Sequence, residues 1–344
     1  MGLALVTGST GFVGSTLCEE LAAAGYGVRA LHRPSSKLEV FKGRAIEPVL
    51  GDVTERESLE RAMRGVDYVF HVAALYREAK FGDEAYWKVN FEGTRNVLEA
   101  AKQAGVKRVL HTSTTGVMGN ITNPPANEEH PYHPDDVYQQ SKTEAEKLAL
   151  EWFRGGKIDG CIIRPTMIWG PRDTRLFKLF KGVASRTLPI IGNGKTLNHY
   201  ILVNDLARAF RLAIENPRTN GQLYLVGNER IVTLEYTLQC IAKIYGVKLW
   251  PFKIPAWPIQ FLGSVVERLC RPFGVEPPLH RRRVDFFVKS RAFDCSKAAR
   301  ELGFRPTYKF EEEVEYVARW YVDNGWIGLK TAMHSLAQST CGER

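Results

Sequence analysis

Leu3-Ala4-Leu5-Val6-Thr7-Gly8-Ser9-Thr10-Gly11-Phe12-Val13-Gly14-Ser15 is the stretch that decides the fold. The apolar run into Thr7 reads as a strand buried on both faces, and residues 15–24 carry helical spacing. The glycines between them allow a tight turn, a close approach of backbone to a pyrophosphate, and tight packing of helix on strand. The helix N-terminus adds amides and the positive end of a dipole. Glycine spacing alone says little, but between a strand and a helix it is the fingerprint of a dinucleotide-binding turn. Gly8, Thr10, Gly11, Phe12, Val13 and Gly14 are its candidate contacts.

Outward from this turn, short apolar runs at residues 3–7, 28–32, 48–50, 68–72, 109–112 and 160–164 read as six strands. Segments of helical period lie between them, as crossover helices over a parallel sheet require. Thr54 with Glu57 reads as a capping box before a short helix, and residues 83–103 as one long helix ending at Gly105. The class is α/β: a doubly wound parallel sheet of the Rossmann kind with a smaller C-terminal lobe. Residues 1–165 form the dinucleotide-binding domain. Residues 166–330 form a substrate-binding lobe interleaved with the end of the sheet, where Pro165, Gly170, Pro171, Pro189, Gly192 and Gly194 break the rhythm. Residues 331–344 are a polar tail, expected to be loose.

The end of the second strand bears on the cofactor. An acidic residue there would hold the ribose 2′-hydroxyl of NAD; the chain has His32-Arg33-Pro34-Ser35-Ser36-Lys37 instead. A 2′-phosphate suits Arg33, with Ser35, Ser36 or Lys37 assisting, so the reading prefers NADP and keeps NAD as the alternative. Asp52, after the third strand, is a candidate contact for the adenine.

Tyr138-Gln139-Gln140-Ser141-Lys142 sets a phenol and an ammonium four residues apart, on one face of a helix. A phenol near pKa 10 is a poor base at neutral pH, and a neighbouring cation lowers that value. Tyr138 is therefore a candidate general acid/base.

With 344 residues, 44% of them hydrophobic, the chain can bury one large core with an appended lobe. The formal charge of +9 favours anionic partners without naming one. Cys18, Cys161, Cys240, Cys270, Cys295 and Cys341 show no metal-ligand spacing, so no metal is expected and the cysteines read as reduced thiols in a cytoplasmic protein. The first residues lack the marks of a signal peptide, and no apolar run reaches the about 18 residues of a spanning helix. The basic residues form no nucleic-acid recognition motif, so no nucleic-acid partner is expected.

Together the glycine turn and the Tyr-x-x-x-Lys helix between the fifth and sixth strands resemble the extended short-chain dehydrogenases/reductases, the NAD-dependent epimerase/dehydratase family. Thr7 to Gly14 matches its Thr-Gly-x-x-Gly-x-x-Gly. Further matches are Asp52, His71-Val72-Ala73-Ala74, Val89-Asn90-Phe91-Glu92-Gly93-Thr94, and Arg164-Pro165-Thr166-Met167-Ile168-Trp169-Gly170-Pro171. The resemblance covers about residues 2 to 325. It implies that Tyr138 exchanges a proton with a substrate oxygen while Lys142 lowers its pKa and binds the nicotinamide ribose. It adds Asp52, Val53, Ala73, Ala74 and Pro165 as cofactor contacts, and Asn90 as an ordering residue for the cofactor and the long helix. A third position is a hydroxyl after the fifth strand. His111-Thr112-Ser113-Thr114-Thr115-Gly116-Val117-Met118-Gly119 resembles the Ser-Ser-x-x-Val-Tyr-Gly run, and counting back from Gly119 gives Thr114, with Ser113 as the alternative because Met118 replaces the Tyr. His71 reads as a structural strand residue.

The family divides between nucleotide-sugar enzymes and reductases or dehydrogenases of hydrophobic alcohols and ketones. Where the former carry an Arg for the substrate pyrophosphate after a Gly-x-Gly turn, this chain has Asn198, and Val288 to Asp294 lacks their Arg-x-Gly-Asp run. Lys195, Arg281 to Arg283, Lys289 or Arg291 are the candidate substitutes, with a solvated cationic face as the alternative reading. The lobe resembles the 3β-hydroxysteroid and sterol 4-carboxylate dehydrogenases at Gly170-Pro171-Arg172-Asp173, Ile191 to Lys195, and Ile254-Pro255-Ala256-Trp257-Pro258. Arg33 matches the dihydroflavonol reductases. Phe261, Leu262, Val265, Val266 and Leu269 recur at helical spacing, either as the wall of a pocket or as a peripheral contact with a membrane surface.

The expectation is an NADP-preferring oxidoreductase interconverting a secondary alcohol and a ketone on a bulky, largely apolar small molecule such as a steroid, sterol or flavonoid. Its alternative is a nucleotide-sugar epimerase or dehydratase with tightly held NAD. A silent dinucleotide-binding module is disfavoured because Tyr138, Lys142 and a hydroxyl all survive. A homodimer through the helices at residues 83–103 and 137–153 is expected from the family.

Overall fold

A computed structural model describes residues 2–76, 81–259, 261, 266 and 287–328. Its centre is a seven-stranded parallel sheet in the order β11-β6-β5-β4-β1-β2-β3. The strands are β1 (Leu3–Thr7), β2 (Gly27–His32), β3 (Glu47–Leu50), β4 (Tyr68–His71), β5 (Arg108–Thr112), β6 (Gly160–Pro165) and β11 (Leu223–Val226). The order reverses on either side of β1, so the β1 turn opens into the crevice at the switch point.

Both faces of the sheet are covered, which is why its central strands are almost continuously apolar. Ala4 and Val6 of β1 point into a core shared with α1 (Phe12–Ala23) and α7 (Val203–Glu215). Leu5, between them in sequence, points into the opposite core against α2 (Arg56–Ala62), α4 (Gly93–Gln103) and α5 (Val137–Arg154).

Four details depart from the sequence reading. There is a seventh sheet strand, β11, which pairs with β6 from Leu223↔Ile162 to Val226↔Pro165. Its four apolar residues are too few to separate from a buried loop by periodicity. The Thr54–Glu57 capping box does not form. Thr54 donates its amide and hydroxyl to Asp52 Oδ1 at 2.8 and 2.9 Å, and Glu55 occupies the N-cap of α2 without a side-chain cap bond. The nearer carboxylate has taken the hydroxyl that would have capped the helix. The long helix is not uniform: α3 (Asp83–Tyr86) passes through a π-helical turn at Trp87–Glu92 into α4. Finally, α1 begins at Phe12, three residues earlier than read.

The C-terminal part adds a third core. Strands β7 (Met167–Trp169) and β10 (Tyr200–Leu202) pair in parallel, and Trp169 stacks on Tyr200 at 4.2 Å between ring centroids. Helices α6 (Phe177–Ala184) and α8 (Leu234–Ile244) join this core. Short strands β8 (Ile190–Ile191), β9 (Leu197–Asn198), β12 (Val232–Thr233) and β13 (Lys253–Ile254) edge it, followed by α9 (Ser296–Leu302) and α10 (Phe310–Asp323). Among the described residues no helix is long and apolar enough to cross a membrane. Of the stripe read at 261–269, Leu262, Val265 and Leu269 lie outside the described residues, as do Arg281 to Arg283, Cys270 and the tail at 331–344.

Candidate active site

A cleft of about 1010 Å³ runs along the C-terminal ends of the sheet strands, from the β1 turn and the end of β2 to the N-terminal half of α5 and the loops after β6. Gly8, Thr10, Gly11, Phe12, Val13, Gly14, Arg33, Asp52, Val53, Ala73, Ala74, Ser113, Thr114, Tyr138, Lys142 and Pro165 all line it. Asn90 does not; it lies behind the wall.

At one end the residues fit a dinucleotide. Gly8 has φ +65° and a Cβ there would meet the Ala73 backbone at 2.8 Å, while one on Gly14 would lie 2.1 Å from the Gly8 carbonyl oxygen. Only glycine allows this close-packed turn. Gly11 starts α1 with no side-chain cap, leaving the first amides of the helix for an anion. At the end of β2 a turn closes from the Ser36 amide to the Arg33 carbonyl at 3.0 Å, and the Arg33 amide donates to Ser36 Oγ at 3.1 Å. Arg33 and Ser36 thus both line the cleft, whereas Ser35 and Lys37 do not.

At the other end α5 supplies the phenol and the ammonium. Asp136 caps the helix by accepting from the Gln139 amide at 2.8 Å, so the helix starts just before Tyr138. Lys142 Nζ donates to the Thr112 carbonyl oxygen at the end of β5 at 2.7 Å. Burial pushes the Lys142 pKa down to about 8, with the Glu146 carboxylate opposing the shift. Tyr138 is buried, and the ring of Tyr76 meets it edge to face at 5.0 Å.

Beneath this face a buried ion pair holds α5 to β6. Arg164 Nε and Nη2 reach the two oxygens of Glu146 at 2.9 and 2.5 Å, and the Tyr132 hydroxyl donates to Glu146 at 2.7 Å. Glu146 stands one helical turn beyond Lys142, so Tyr138, Lys142 and Glu146 share one stripe.

The hydroxyls after β5 differ in their surroundings. Thr114 Oγ1 accepts the Gly116 amide at 3.0 Å, which leaves its own hydrogen to donate elsewhere. Ser113 Oγ is buried without a partner among the described residues. Both residues line the cleft.

Asn90 sits in the π-helical turn and binds the Leu75 backbone twice, accepting its amide at 2.8 Å and donating to its carbonyl at 3.2 Å; it also donates to Ser141 Oγ at 3.0 Å. It therefore ties the chain after β4 to α5. His71 is part of the same frame. Thr7 Oγ1 accepts the Val72 and Ala73 amides, so its hydrogen goes to His71 Nδ1 at 2.9 Å, and Nε2 donates to Thr94 Oγ1 at 3.0 Å. Burial, with the Lys142 charge adding, holds His71 neutral with its pKa near 3.

The sequence reading missed Arg175 and Tyr76. Both line the cleft, and the Arg175 guanidinium lies over the Tyr76 ring at 5.2 Å and the Phe12 ring at 5.8 Å. Asp173 sets this position by accepting the Arg175 and Leu176 amides at 3.0 and 3.1 Å, and an Asp two residues before an Arg was the one available signal. Met167, Ile168, Leu176 and Phe293 add apolar wall, and Lys289 and Arg291 add charge. Asn198 and Lys195 are not among the lining residues; Asn198 is fully buried.

Residues 4–227 match the NAD dependent epimerase/dehydratase family. A dihydroflavonol 4-reductase-like protein of Synechocystis sp. is 32% identical over 94% of this chain and 95% of its own length. The 3-beta-hydroxysteroid dehydrogenase of Mycolicibacterium neoaurum is 29% identical over 94% and 92%. Among solved structures, that of gox2253 superposes with a TM-score of 0.81 at 31% identity, over 95% of this chain and all of that one. The dTDP-glucose 4,6-dehydratase DesIV of Streptomyces venezuelae, solved with NAD bound, gives 0.74 at 25% identity over 94% and 98%. The chain belongs to the NAD-dependent epimerase/dehydratase family and is an NAD(P)-dependent oxidoreductase of the extended short-chain dehydrogenase/reductase type.

Proposed function

We propose that the protein interconverts a secondary alcohol and a ketone on a bulky, largely apolar substrate, with NADP preferred over NAD. The observation that carries this reading is one cleft holding Tyr138, Lys142 and the Ser113–Thr114 hydroxyls at one end and the Arg33–Ser36 turn at the other. When bound there, the nicotinamide supplies a hydride to the carbonyl carbon, or accepts one in reverse. In reduction Tyr138 donates its phenolic proton to the substrate oxygen, and Thr114, or else Ser113, holds that oxygen by a hydrogen bond. The Lys142 ammonium stabilises the phenolate left behind and is anchored at the Thr112 carbonyl. Arg33, with Ser36, binds the 2′-phosphate, and Asp52, Val53, Ala73, Ala74 and Pro165 line the cofactor's path.

Met167, Ile168, Leu176 and Phe293 support the apolar substrate. The second reading, a nucleotide-sugar enzyme, keeps Lys289 and Arg291 as phosphate ligands, since both line the cleft. Asn198, at the position of the expected Arg, counts against it because it is buried away from the cleft. The proposal includes a homodimer through the helical stretches at residues 83–103 and 137–153, and a cytoplasmic setting in keeping with free thiols at Cys18, Cys161, Cys240 and Cys295.

The experiment is a titration of the purified protein with NADPH and NADH, followed by a screen of steroid and flavonoid ketones for nucleotide oxidation. Exchangeable NADPH binding and turnover of an apolar ketone support the proposal. Stoichiometric NAD retained through purification, with sugar-nucleotide turnover, replaces it with the second reading.

A further inference from the structure

Arg175 stands between the two ends of the cleft. Its guanidinium lies over the Phe12 ring of the dinucleotide turn at 5.8 Å and over the Tyr76 ring at 5.2 Å, and Tyr76 in turn meets the Tyr138 ring at 5.0 Å. Two successive ring contacts therefore separate the guanidinium from the candidate proton donor. A cation in such a place is either solvated surface or a ligand residue, and the way it is held tells the two apart.

The loop that presents Arg175 is fixed from two distant helices. Arg172 adopts φ +73°, an uncommon conformation for a residue with a side chain. It is held there by Nη2, which donates to Thr16 Oγ1 and Glu19 Oε1 of α1 at 3.2 and 2.9 Å. The Tyr321 hydroxyl of α10 donates to the Asp173 carbonyl at 2.8 Å. Asp173, only 1% exposed, then accepts the amides of Arg175 and Leu176 through its two oxygens. A side chain that merely meets solvent needs no such preorganised support.

The guanidinium itself is held loosely. Its Nε meets Asp173 Oδ1 at 3.3 Å and its Nη2 the Ile168 carbonyl at 3.4 Å, both longer than the about 2.7–2.9 Å of a charge-assisted bond. Asp173 Oδ1 is shared with the Arg175 amide, and the neighbouring rings do not cancel the charge. Burial lowers the Arg175 pKa, but Asp173 and the phenols of Tyr76 and Tyr138 outweigh it, so the group stays a cation. Its side chain remains 44% exposed in the cleft wall, beside apolar Ile168 and Leu176. A positioned fork of N–H donors with only long bonds inside the protein suits a carboxylate, whose two oxygens it can take together. The cofactor's diphosphate fits less well, because the uncapped N-terminus of α1 already offers it amides.

We propose that Arg175 is a specificity-determining residue that binds a carboxylate of the substrate, carried on the same part of the molecule as the oxygen served by Tyr138. The substrate class narrows to apolar hydroxy acids and the corresponding keto acids. The placing of the reacting oxygen rests on the catalytic reading, whereas the carboxylate site is open to test without turnover.

The kinetic probes are 3-(2-naphthyl)-3-oxopropanoate and its methyl ester, compared by NADPH oxidation in wild type, Arg175→Gln and Arg175→Lys. Wild type should favour the acid by about tenfold or more in kcat/KM, chiefly through KM; Arg175→Gln should lose that preference and Arg175→Lys keep part of it. In parallel, NADPH-loaded protein is titrated with 2-naphthylacetate and its methyl ester, which carry no ketone. The acid should bind more tightly than the ester, and Arg175→Gln should abolish the difference. No preference for the acid in wild type, or the same preference in Arg175→Gln, overturns the proposal. So does an about tenfold weaker Kd for NADPH in Arg175→Gln, which would assign the guanidinium to the cofactor's diphosphate. If neither ketone turns over while the acid still binds through Arg175, the carboxylate site stands and only the proposed reaction falls.

Discussion

Lys142 Nζ donates to the Thr112 carbonyl oxygen at 2.7 Å, which fixes the ammonium of α5 at the C-terminal end of β5, next to the two candidate hydroxyls. The contact joins the two elements that act together in the proposed reaction. Replacing Tyr138 by Phe should lower kcat about 10²- to 10⁴-fold, the usual worth of a positioned acid/base. The Kd for the nicotinamide cofactor should change less than about threefold, since the ring and its packing on Tyr76 remain. Steady-state kinetics beside a fluorescence titration of NADPH check this, and unchanged turnover would rule out Tyr138 as the proton donor.

Thr114 and Ser113 make different predictions. Thr114→Val should lower kcat about 10²-fold or more, as loss of a donor to a developing oxyanion does, and Thr114→Ser should recover most of it. Ser113→Ala should stay near wild type. The reverse pattern would move the role one residue back.

Arg33→Ala should raise the KM for NADPH about 10- to 100-fold, the cost of a lost charge-assisted contact, and leave that for NADH nearly unchanged. Initial rates with both nucleotides measure it. An equal effect on both would show that Arg33 does not read the 2′-phosphate.

The Glu146–Arg164 pair has side chains 0% and 2% exposed. Arg164→Met alone should destabilise the fold by about 3–5 kcal/mol because it strands a buried carboxylate, while Glu146→Leu/Arg164→Met should cost less than that single change. Urea unfolding of the three proteins gives the comparison.

Glu313 of α10 is buried, accepting from the Trp169 indole N–H and from Asn228 Nδ2, at 2.6 Å for the latter. Burial raises its pKa from 4.5 to about 8. In the unfolded chain the carboxyl ionises near 4.5, so between that pH and about 8 the folded state binds more protons and stability falls as pH rises. The melting-temperature advantage of wild type over Glu313→Gln should therefore shrink from about pH 5 to about pH 8. A gap that stays constant or widens would show that Glu313 is ionised in the folded protein.

Much of the fold and part of the site were legible before any coordinates. The strand-turn-helix at residues 3–24 is a local pattern, since a buried parallel strand must be apolar and the turn at Gly8 and Gly14 excludes every larger residue. The four-residue spacing of Tyr138 and Lys142 needs only a helix to become a shared face. Arg33 at the end of β2 follows from counting strands.

Other features were closed to such reading because they depend on partners far away in the chain. β11 is four ordinary apolar residues until it meets β6, and Thr54 is a plausible cap until Asp52 takes its hydroxyl. Asn90 looks like a polar helix residue until the π-helical turn directs it to Leu75 and Ser141. Arg175 becomes a cleft residue only because Asp173 shapes its loop and Phe12 and Tyr76, 163 and 99 residues earlier, offer their rings. The sequence by itself determined what backbone geometry and residue spacing impose within a few turns of chain: the dinucleotide turn, the sheet class and the Tyr–Lys pair. Tertiary structure decided which distant side chains meet them, because those contacts arise from packing whole elements together and leave no mark in local periodicity.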